Sequence, residues 1–430
     1  MKQGNYSGRR KRKDLQQTMG VNRERIYSEG FLDIARKLPQ YFTRTRKMPF
    51  TKLVLFMMNM VRSSIQVALD RFFENTGQEG IHMSQQAYSK ARDKLNWEAF
   101  QWLFKEDAND TYDYYYETWH GYRVSATDGS KMQLPDDQGL RDYFGTMGSA
   151  KVAATAQASA LYDILNDVLI DVQLEPLKTD ERTLALRHIE ALCAMRSFLK
   201  ELILYDRGYA SFELIETLKG RGISFLMRVK RGFNKGIDRL GEGDHIAVLQ
   251  KTGHEDITVR VVKFTLPSGE EETLITDIFD KRMGIQAFKE LYFKRWPIET
   301  KFDQLKYKLQ VENFSGRTVN AIKQDFFISM HMSNIAATAR WETQAAVDDE
   351  RSQKENMYNY HVNANHAIGT IKDRFVMALL EDNPRVRRKK VDRILYLMKF
   401  DPEPTRPNRS LPRNPIPRKA KFRHNRKTNC

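Results

Sequence analysis

The feature that most constrains the fold is the order of strand-like and helical segments between residues 122 and 229. Short runs of aliphatic, aromatic and β-branched residues alternate there with amphipathic segments, in the order strand, strand, strand, helix, strand, helix, strand. Helices connected in this way cover the faces of one sheet, so the pattern predicts a mixed α/β layer. Short β-rich runs separated by Gly and Pro turns follow at about 231–280 and predict a β insertion before the next long helix.

Composition divides the 430 residues into five predicted regions. These are a basic flexible arm (1–25), a helical region (26–118), the mixed-sheet domain (119–345), a helical C-terminal region (346–400) and a basic Pro-rich tail (401–430). The arm and the tail together hold +13 of the net charge of +16. Basic ends on a nearly balanced body predict a polyanionic partner, most often nucleic acid. The alternative is that the ends only improve solubility or are merely disordered.

The helical region offers two interpretations. Residues 50–74 predict one long apolar helix, and residues 81–100 predict a second helix with Ser84 at its N-cap. We expect Lys90, Arg92 and Lys94 on the exposed side of this second helix. Two helices separated by a Gly-containing turn are either a DNA-reading pair or an ordinary packed pair.

Cysteine content and hydropathy indicate the cellular compartment expected for the protein. Two cysteines, Cys193 and Cys430, are too few for a disulfide framework or a zinc site, which favours a reducing cytoplasm. The longest apolar run, Leu53–Met58, is far shorter than the ~20 residues that span a bilayer. The N-terminus is charged and lacks an apolar stretch, so we expect no signal peptide and no membrane partner.

One stretch, YFKRWPIETKFDQLK, carries an unusual set of side chains. On a helix that turns by roughly 100° per residue, Tyr292, Arg295, Glu299 and Lys306 fall within about 60° of one another. An acid between two cations on one face suits a metal ion beside a phosphate, whereas the alternative is a set of ion pairs on an exposed helix. Pro297 either kinks this helix or begins a new one, which weakens the common-face prediction for the residues before it.

Two aspartates follow strand-like runs at small-residue turns, in Asp128-Gly129-Ser130 and Asp206-Arg207-Gly208-Tyr209. Carboxylates at strand ends of an open α/β sheet project into a crevice, and Glu299 on the last helix is expected to reach it. Three carboxylates would repel one another there unless a divalent cation is bound, and oxygen ligands favour Mg²⁺ or Mn²⁺. The alternatives are a turn-forming Asp128 and a helix-capping Asp206.

A pair of such ions would serve phosphoryl transfer by activating a water or a 3′-hydroxyl and stabilising the leaving oxygen. Arg295 and Lys306 would then hold phosphate oxygens, and Tyr292 would contact a phosphate or a base.

Together these motifs resemble bacterial insertion-sequence transposases of the "insertion sequence four" family, which belong to the DDE class. The pattern Y-x2-R-x3-E-x6-K matches the family signature, and the two aspartate motifs match its first and second aspartate regions. The β insertion before the glutamate is also a family trait. The resemblance covers about residues 45–420 and implies an RNase H-like core flanked by helices.

The resemblance also implies a mechanism. Asp128, Asp206 and Glu299 would bind two Mg²⁺ ions, with Mn²⁺ as a substitute. The enzyme would cut the inverted-repeat ends of its own mobile element, pass through hairpin ends and join them to target DNA. The terminal phosphates and the distorted strand would be held by Tyr292, Arg295 and Lys306. Trp296 is a candidate stacking surface for an unpaired base, or alternatively a core residue.

Residues 81–100 and the basic ends would bind the terminal inverted repeats and flanking DNA. Synapsis of two ends implies a homodimer on DNA, at the nucleoid in a bacterial cytoplasm. Two other functions remain open: an RNase H-like nuclease that cuts without joining, and a catalytically idle DNA-binding protein derived from a transposase. The complete acidic trio argues against the idle protein, and a joined product would exclude the simple nuclease.

Overall fold

The computed structural model describes residues 11–44, 46–59, 64–147, 153–196, 199–352 and 357–405. The chain divides into two compact units, each assembled from separate segments. The helical unit comprises Met1–Tyr115, Met132–Ala156 and Gln304–Cys430, and the sheet unit comprises Tyr116–Lys131 and Gln157–Asp303. This division differs from the five consecutive regions expected from composition, because the chain leaves and re-enters each unit.

The described residues form helices and strands with the following bounds. The helices are α1 (Leu15–Tyr27), α2 (Glu29–Ala35), α3 (Phe50–Met58), α4 (Ile65–Asn75), α5 (Gln85–Arg92), α6 (Glu98–Thr111), α7 (Gln138–Phe144), α8 (Glu181–Cys193), α9 (Phe212–Gly220), α10 (Lys235–Asp238), α11 (Ile285–Phe293), α12 (Pro297–Asp303), α13 (Val319–Ser352), α14 (Ala364–Leu379) and α15 (Pro384–Met398). The strands are β1 (Tyr122–Gln133), β2 (Thr155–Asp163), β3 (Val168–Pro176), β4 (Lys200–Tyr205), β5 (Ser224–Val229), β6 (Gly243–Leu249), β7 (Ile257–Thr265), β8 (Glu271–Thr276), β9 (Asn359–His361) and β10 (Glu403–Thr405).

One mixed sheet organises the sheet unit, with the strand order β3-β2-β1-β4-β5-β8-β7-β6. Strands β1, β4 and β5 are parallel neighbours, whereas β8, β7 and β6 continue the sheet as antiparallel strands. The central strands are buried almost throughout, as expected for strands covered by helices on the faces of a sheet. The α/β class and the β insertion predicted from the sequence are confirmed by this mixed sheet and by strands β6, β7 and β8, which precede α11.

A long buried helix organises the helical unit. Helix α13 is buried on all sides between Ala321 and Ala337, as is typical of a helix that runs through a core. It packs against α1, α3, α6, α14 and α15. Trp97, which precedes α6, stacks on Phe327 of α13 with ring centroids 5.3 Å apart. The N-terminal and C-terminal helices of the chain therefore share one core.

Three local predictions in this unit are wrong. The basic arm expected over residues 1–25 becomes helix α1 from Leu15 onward, because Asp14 forms a capping box with Gln17 and Leu15 is buried. The apolar segment 50–74 forms two helices, and Ser64 caps the second one. Arg92 is only 4% exposed and forms an ion pair with Asp325.

The ends of the chain are described in part. The first ten residues and the tail from residue 406 onward, on which the arm and tail predictions fall, lie outside the described residues. Strands β9 and β10 pair antiparallel, and β10 lies at the start of the predicted tail. In the described part of the chain, no helix combines the length and apolar character needed to cross a membrane.

Candidate active site

Asp128 lies inside β1 and not at its end. The strand continues to Gln133, so both the expected strand end and the alternative of a turn-forming aspartate are wrong. The extension arises because β1 pairs with β2 over this stretch, with Ser159 Oγ donating to the carbonyl oxygen of Asp128 at 3.2 Å. The backbone of the aspartate is therefore fixed by the neighbouring strand.

A buried polar chain stands behind this contact. Ser159 Oγ lies 2.9 Å from Nε2 of His188, and Nδ1 of His188 lies 2.7 Å from Oδ2 of Asp171. All three residues are at most 1% exposed. Although these residue types form the triads of serine hydrolases, burial denies them a substrate, and their geometry instead supports the backbone at Asp128. Ser159, Asp171 and His188 come from β2, β3 and α8, so no local sequence motif predicts that they meet.

Asp206 follows β4 at the level of Asp128. The parallel register pairs Ala126 with Leu204, so each aspartate comes two residues after a paired position on adjacent strands. Oδ1 of Asp206 accepts the Gly208 N–H at 2.7 Å. Helix α9 is capped by Ser211, so the alternative that Asp206 is a helix cap is wrong.

Glu299 lies in the first turn of α12. This helix begins at Pro297, one of the two outcomes expected for that residue, because proline suits a helix start where no backbone donor is needed. Arg295, in the connection before α12, donates from its guanidinium to Oε1 of Glu299 at 2.9 Å. The arginine side chain is largely buried, so it is held at the glutamate.

The same helix is fixed on another side by Lys301. Its ammonium is 2.9 Å from Oδ1 of Asp167 in the turn between β2 and β3, and it lies over the ring of Tyr162. Because Lys301 is two residues after Glu299, the two side chains leave α12 in different directions. The ion pair therefore holds α12 against the β2–β3 hairpin while Glu299 projects elsewhere.

Electrostatics connect the three acids. The pKa of Asp128 is raised to about 6, first of all by burial. The Gly129 N–H and the charge of Arg295 oppose this rise, whereas the charges of Glu299 and Asp206 add to it. Asp128 is therefore within electrostatic reach of both other acids and of the arginine, in a setting where an added cation would stabilise its charged form.

The three carboxylates do not form a ready-made metal cage. Among the described residues, no group of three or more His, Cys, Asp or Glu side chains is placed to hold a metal ion. The contacts above explain this arrangement, since Glu299 is paired with Arg295 and Asp206 accepts from its own turn. The donor set nevertheless consists of carboxylate oxygens, the ligands that Mg²⁺ and Mn²⁺ prefer, so the residues fit that type of ion.

A fourth acid, Glu181, lies beside the two aspartate motifs and was missed in the sequence. A Cβ atom added to Gly129 would lie 2.8 Å from Oε1 of Glu181, and one added to Gly208 would lie 4.0 Å from its Oε2. The residue is exposed overall, yet its pKa is raised by partial burial of the carboxylate and by the charge of Asp206. Asp180 could have pointed to this residue in the sequence, because Asp180 caps α8 and so puts Glu181 in the first turn of that helix.

Tyr292 is half-buried on α11. Its hydroxyl donates to the carbonyl oxygen of Tyr205, the residue before Asp206, at 3.4 Å. Burial raises the pKa of Tyr292 well above its usual value of 10, so the hydroxyl stays neutral. Tyr292 is thereby directed at the backbone next to the second aspartate.

The other two residues of the predicted set differ from expectation. Trp296 is 55% exposed, so its interpretation as a core residue is wrong. Lys306 belongs to the helical unit and lies in a π-helical turn, Gln304–Lys308. The prediction that Lys306 shares one α-helical face with Glu299 is therefore wrong, because α12 ends at Asp303.

Comparison with known proteins decides the family. The sequence matches the family model described as "Transposase DDE domain" over residues 119–335, just over half of the chain. The chain belongs to the transposase DDE domain family. The resemblance to DDE transposases of insertion sequences is thus confirmed for the family, and the matched range contains all three predicted acids.

Two curated proteins are similar to this chain over part of their length. The protein named "Putative transposase InsZ" from Escherichia coli (strain K12) is 25% identical over 153 residues, which cover 34% of this chain and 50% of the relative. The protein named "Putative transposase y4zB" from Sinorhizobium fredii (strain NBRC 101917 / NGR234) is 26% identical over 146 residues, covering 30% of this chain and 39% of the relative. The chain thus spans half or less of the curated relatives that it matches.

A solved structure is also similar to this chain. It is the cryo-EM structure of a piggyBac transposase synaptic complex with hairpin DNA, with a TM-score of 0.45 and 10% sequence identity. The similarity covers 87% of this chain and 85% of that chain.

Proposed function

We propose that this protein is a transposase that cuts the inverted-repeat ends of its own insertion sequence and joins them to target DNA through hairpin ends. The observation that carries the proposal is the electrostatic connection of Asp128 with Asp206, Glu299 and Arg295. Acids and a cation so placed within a transposase DDE domain suit phosphoryl transfer better than a solvated surface.

The proposed metal ligands are Asp128, Asp206 and Glu299, which would hold two Mg²⁺ ions or Mn²⁺ in their place. When bound, the metal would supply charge to activate an attacking water or 3′-hydroxyl and to stabilise the leaving oxygen. Arg295, already held at Glu299, would donate to phosphate oxygens. Tyr292, neutral near Asp206, would donate one hydrogen bond to a phosphate or base. Lys306 and Trp296 are proposed to contact the terminal phosphates and an unpaired base.

The proposed partners are the terminal inverted repeats and the target DNA. In this scheme residues 119–345 are catalytic, and residues 26–118 and the basic ends bind DNA. Two transposon ends would be brought together by a homodimer at the bacterial nucleoid.

Glu299→Gln tests the proposal directly. We expect cleavage and joining of end-containing DNA to fall on the order of 10³-fold or more, since the amide cannot replace a charged oxygen ligand. DNA binding, followed by fluorescence anisotropy, should be retained. The matched control is Glu290→Gln, at an exposed acid of neighbouring helix α11. An equal loss of binding and cleavage, or full activity in Glu299→Gln, would contradict the assignment.

The products distinguish the remaining functions. Joined DNA with Mg²⁺ supports transposition, whereas nicked DNA alone indicates a nuclease without joining activity. Binding without any cleavage indicates a catalytically idle protein.

A further inference from the structure

An open cleft of about 1350 Å³ lies in the helical unit. One wall is a face of α5, and the other is the connection between α2 and α3. Neither wall contains any residue of the proposed acidic site, so the cleft needs a separate explanation.

The α5 wall combines small and cationic side chains. Ala87, Lys90, Ala91 and Lys94 line the cleft at helical spacings of three, four and seven. The alanines leave room for a ligand, and Lys90 and Lys94 stand one turn apart, about 6 Å along the axis. The opposite face of this segment is buried, so the direction of the lysines is fixed by packing.

Arg92 anchors that buried face. Its guanidinium donates to the side chain of Gln324 at 2.7 Å and to Asp325 at 2.9 Å, both on α13. Helix α5 is thereby tied to the central helix of the unit. The cleft-facing lysines are presented from a fixed support and not from a free surface helix.

The second wall is also basic, and Phe42 and Lys47 attach it to the neighbouring elements. Arg44, Arg46 and Lys47 line the cleft and are exposed. Phe42, close before them, packs edge-on against Phe50 of α3, with ring centroids 5.6 Å apart. The ammonium of Lys47 donates to the carbonyl oxygen of His82, just before α5, at 3.1 Å. Preorganised cations lose less conformational entropy when they bind a ligand.

The charge of the cleft is unbalanced. Five cations line it (Arg44, Arg46, Lys47, Lys90 and Lys94), and Glu29 is the acidic residue among the lining side chains. Within the described residues, none of the five forms an ion pair with a carboxylate. Lys94 lies over the ring of Tyr41 instead, 5.2 Å from its centroid. Two walls of like positive charge therefore favour an anionic ligand.

We propose that this cleft binds the phosphodiester backbone of DNA. Each DNA strand carries one charge per ~3.4 Å of helix axis, so Lys90 and Lys94 would span about two phosphates while the arginines engage from the facing wall. Lysine and arginine contacts to phosphate hold the register of a duplex without reading its sequence. Helix α5 thus positions DNA by its backbone, in place of the base-reading role considered for residues 81–100.

This inference relies on the proposed function only for the source of the DNA. Its test is the full-length double variant Lys90→Ala/Lys94→Ala. The matched control is Lys219→Ala/Lys281→Ala, which removes two exposed lysines of the sheet unit. Thermal unfolding should show that both variants fold like the parent protein, since alanine favours helix and the replaced side chains are at least partly exposed.

The measurement is affinity for duplex DNA of several unrelated sequences between 50 and 200 mM salt, a range in which phosphate contacts have large effects. We expect the slope of log K against log salt to become shallower by about 2 in the cleft variant, equally for every sequence, and to stay unchanged in the control. In addition, bound DNA should protect Lys90 and Lys94, but not Lys281, from chemical acetylation read by mass spectrometry.

Several results would overturn the inference. If the cleft variant kept the salt slope of the parent protein, the cleft would not contact the DNA backbone. The same would follow if the variant lost affinity for only one DNA sequence. Loss of polyglutamate binding with intact DNA binding would assign the cleft to an acidic protein. If the parent protein cleaves and binds DNA but the cleft variant matches it, only the cleft assignment fails. A parent protein that binds no DNA would refute the proposed function as well.

Discussion

At the scale of single residues, two glycines determine how closely Glu181 approaches the aspartates. A methyl group at Gly129 would press against Glu181 and against Gln157, whose Nε2 would lie only 2.9 Å away. Position 129 is therefore reserved for glycine by close approach and not by backbone conformation, because its φ is not positive. The glutamate is close enough to the motifs to affect a cation bound there.

We expect Glu181→Gln to weaken Mn²⁺ binding by about 10–100-fold, the usual effect of losing a charged group just outside a metal's ligands. Calorimetric titration of Mn²⁺ measures this without any cleavage reaction. Glu190→Gln, an exposed acid later on α8, is the control. Parental Mn²⁺ affinity in Glu181→Gln would exclude the residue from the site.

At the scale of elements, α12 is the part of the sheet unit on which the proposed catalysis depends most. Its first turn carries Glu299, and its buried Lys301 pairs with Asp167. Asp167 has a φ of 56°, so the turn that presents this carboxylate uses a left-handed conformation that Asp and Asn tolerate. Helix position and glutamate position are thus coupled through one ion pair.

Lys301→Met should destabilise the protein by about 3 kcal/mol, because it removes the cation beside a largely buried carboxylate and leaves the Tyr162 hydroxyl still donating to it at 2.8 Å. Urea unfolding measures the loss, and Lys294→Met, at an exposed lysine shortly before α12, should have little effect. Adding Asp167→Asn to Lys301→Met should recover part of the stability. If the double variant is as unstable as the sum of the single ones, the pair does not interact.

Helix α13 carries a second buried group with a measurable consequence. Burial lowers the pKa of His331 from 6.5 to about 4, although the nearby Asp107 opposes the shift. Its Nε2 lies 2.8 Å from Oδ1 of Asn22 on α1. The imidazole is neutral in the folded protein at pH 7, and the unfolded chain takes up the proton first as the pH falls.

Stability should therefore decline as the pH falls from about 6.5 towards 4, with a contribution from His331 of up to about 3 kcal/mol. His331→Gln should remove this part of the pH dependence in urea unfolding curves recorded between pH 7 and 5. His361→Gln, at an exposed histidine, should keep it. A parental pH profile in His331→Gln would show that other groups cause the decline.

Sequence patterns anticipated most of these elements but not their three-dimensional relations. The start of α12 followed from Pro297, whose chemistry is local. The partnership of Ser159 with His188 could not be foreseen, because strand pairing and helix packing bring together residues with no periodic spacing. The position of Lys306 could not be foreseen for a similar reason, since the π-helical turn after Asp303 departs from the helical periodicity used to place it.

At the scale of the whole molecule, much of the net positive charge lies in the last residues of the sequence. Residues 406–430 contain nine Lys and Arg residues and no acid. The rest of the chain nevertheless provides basic surfaces, including the cleft beside α5. DNA affinity should therefore combine contributions from the tail and from the folded units.

Replacing the nine cations of residues 406–430 with Gln should make the salt dependence of DNA binding shallower, by about 0.9 for each phosphate that the tail no longer neutralises. Filter binding at several salt concentrations measures the change, and the parent protein should show a steep slope. An unchanged slope would exclude the tail from DNA binding.

The interleaving of the two units also sets an order of events during synthesis. The chain leaves the helical unit after Tyr115, re-enters it briefly at Met132–Ala156, and returns for the last time at Gln304. Trp97 consequently emerges from the ribosome long before Phe327, the ring on which it stacks. The apolar faces of the early helices therefore stay exposed until α13 is translated. Such exposed apolar surface makes a nascent chain prone to aggregation. A product terminated before α13 would lack the centre of the helical core and would be a substrate for proteases and chaperones.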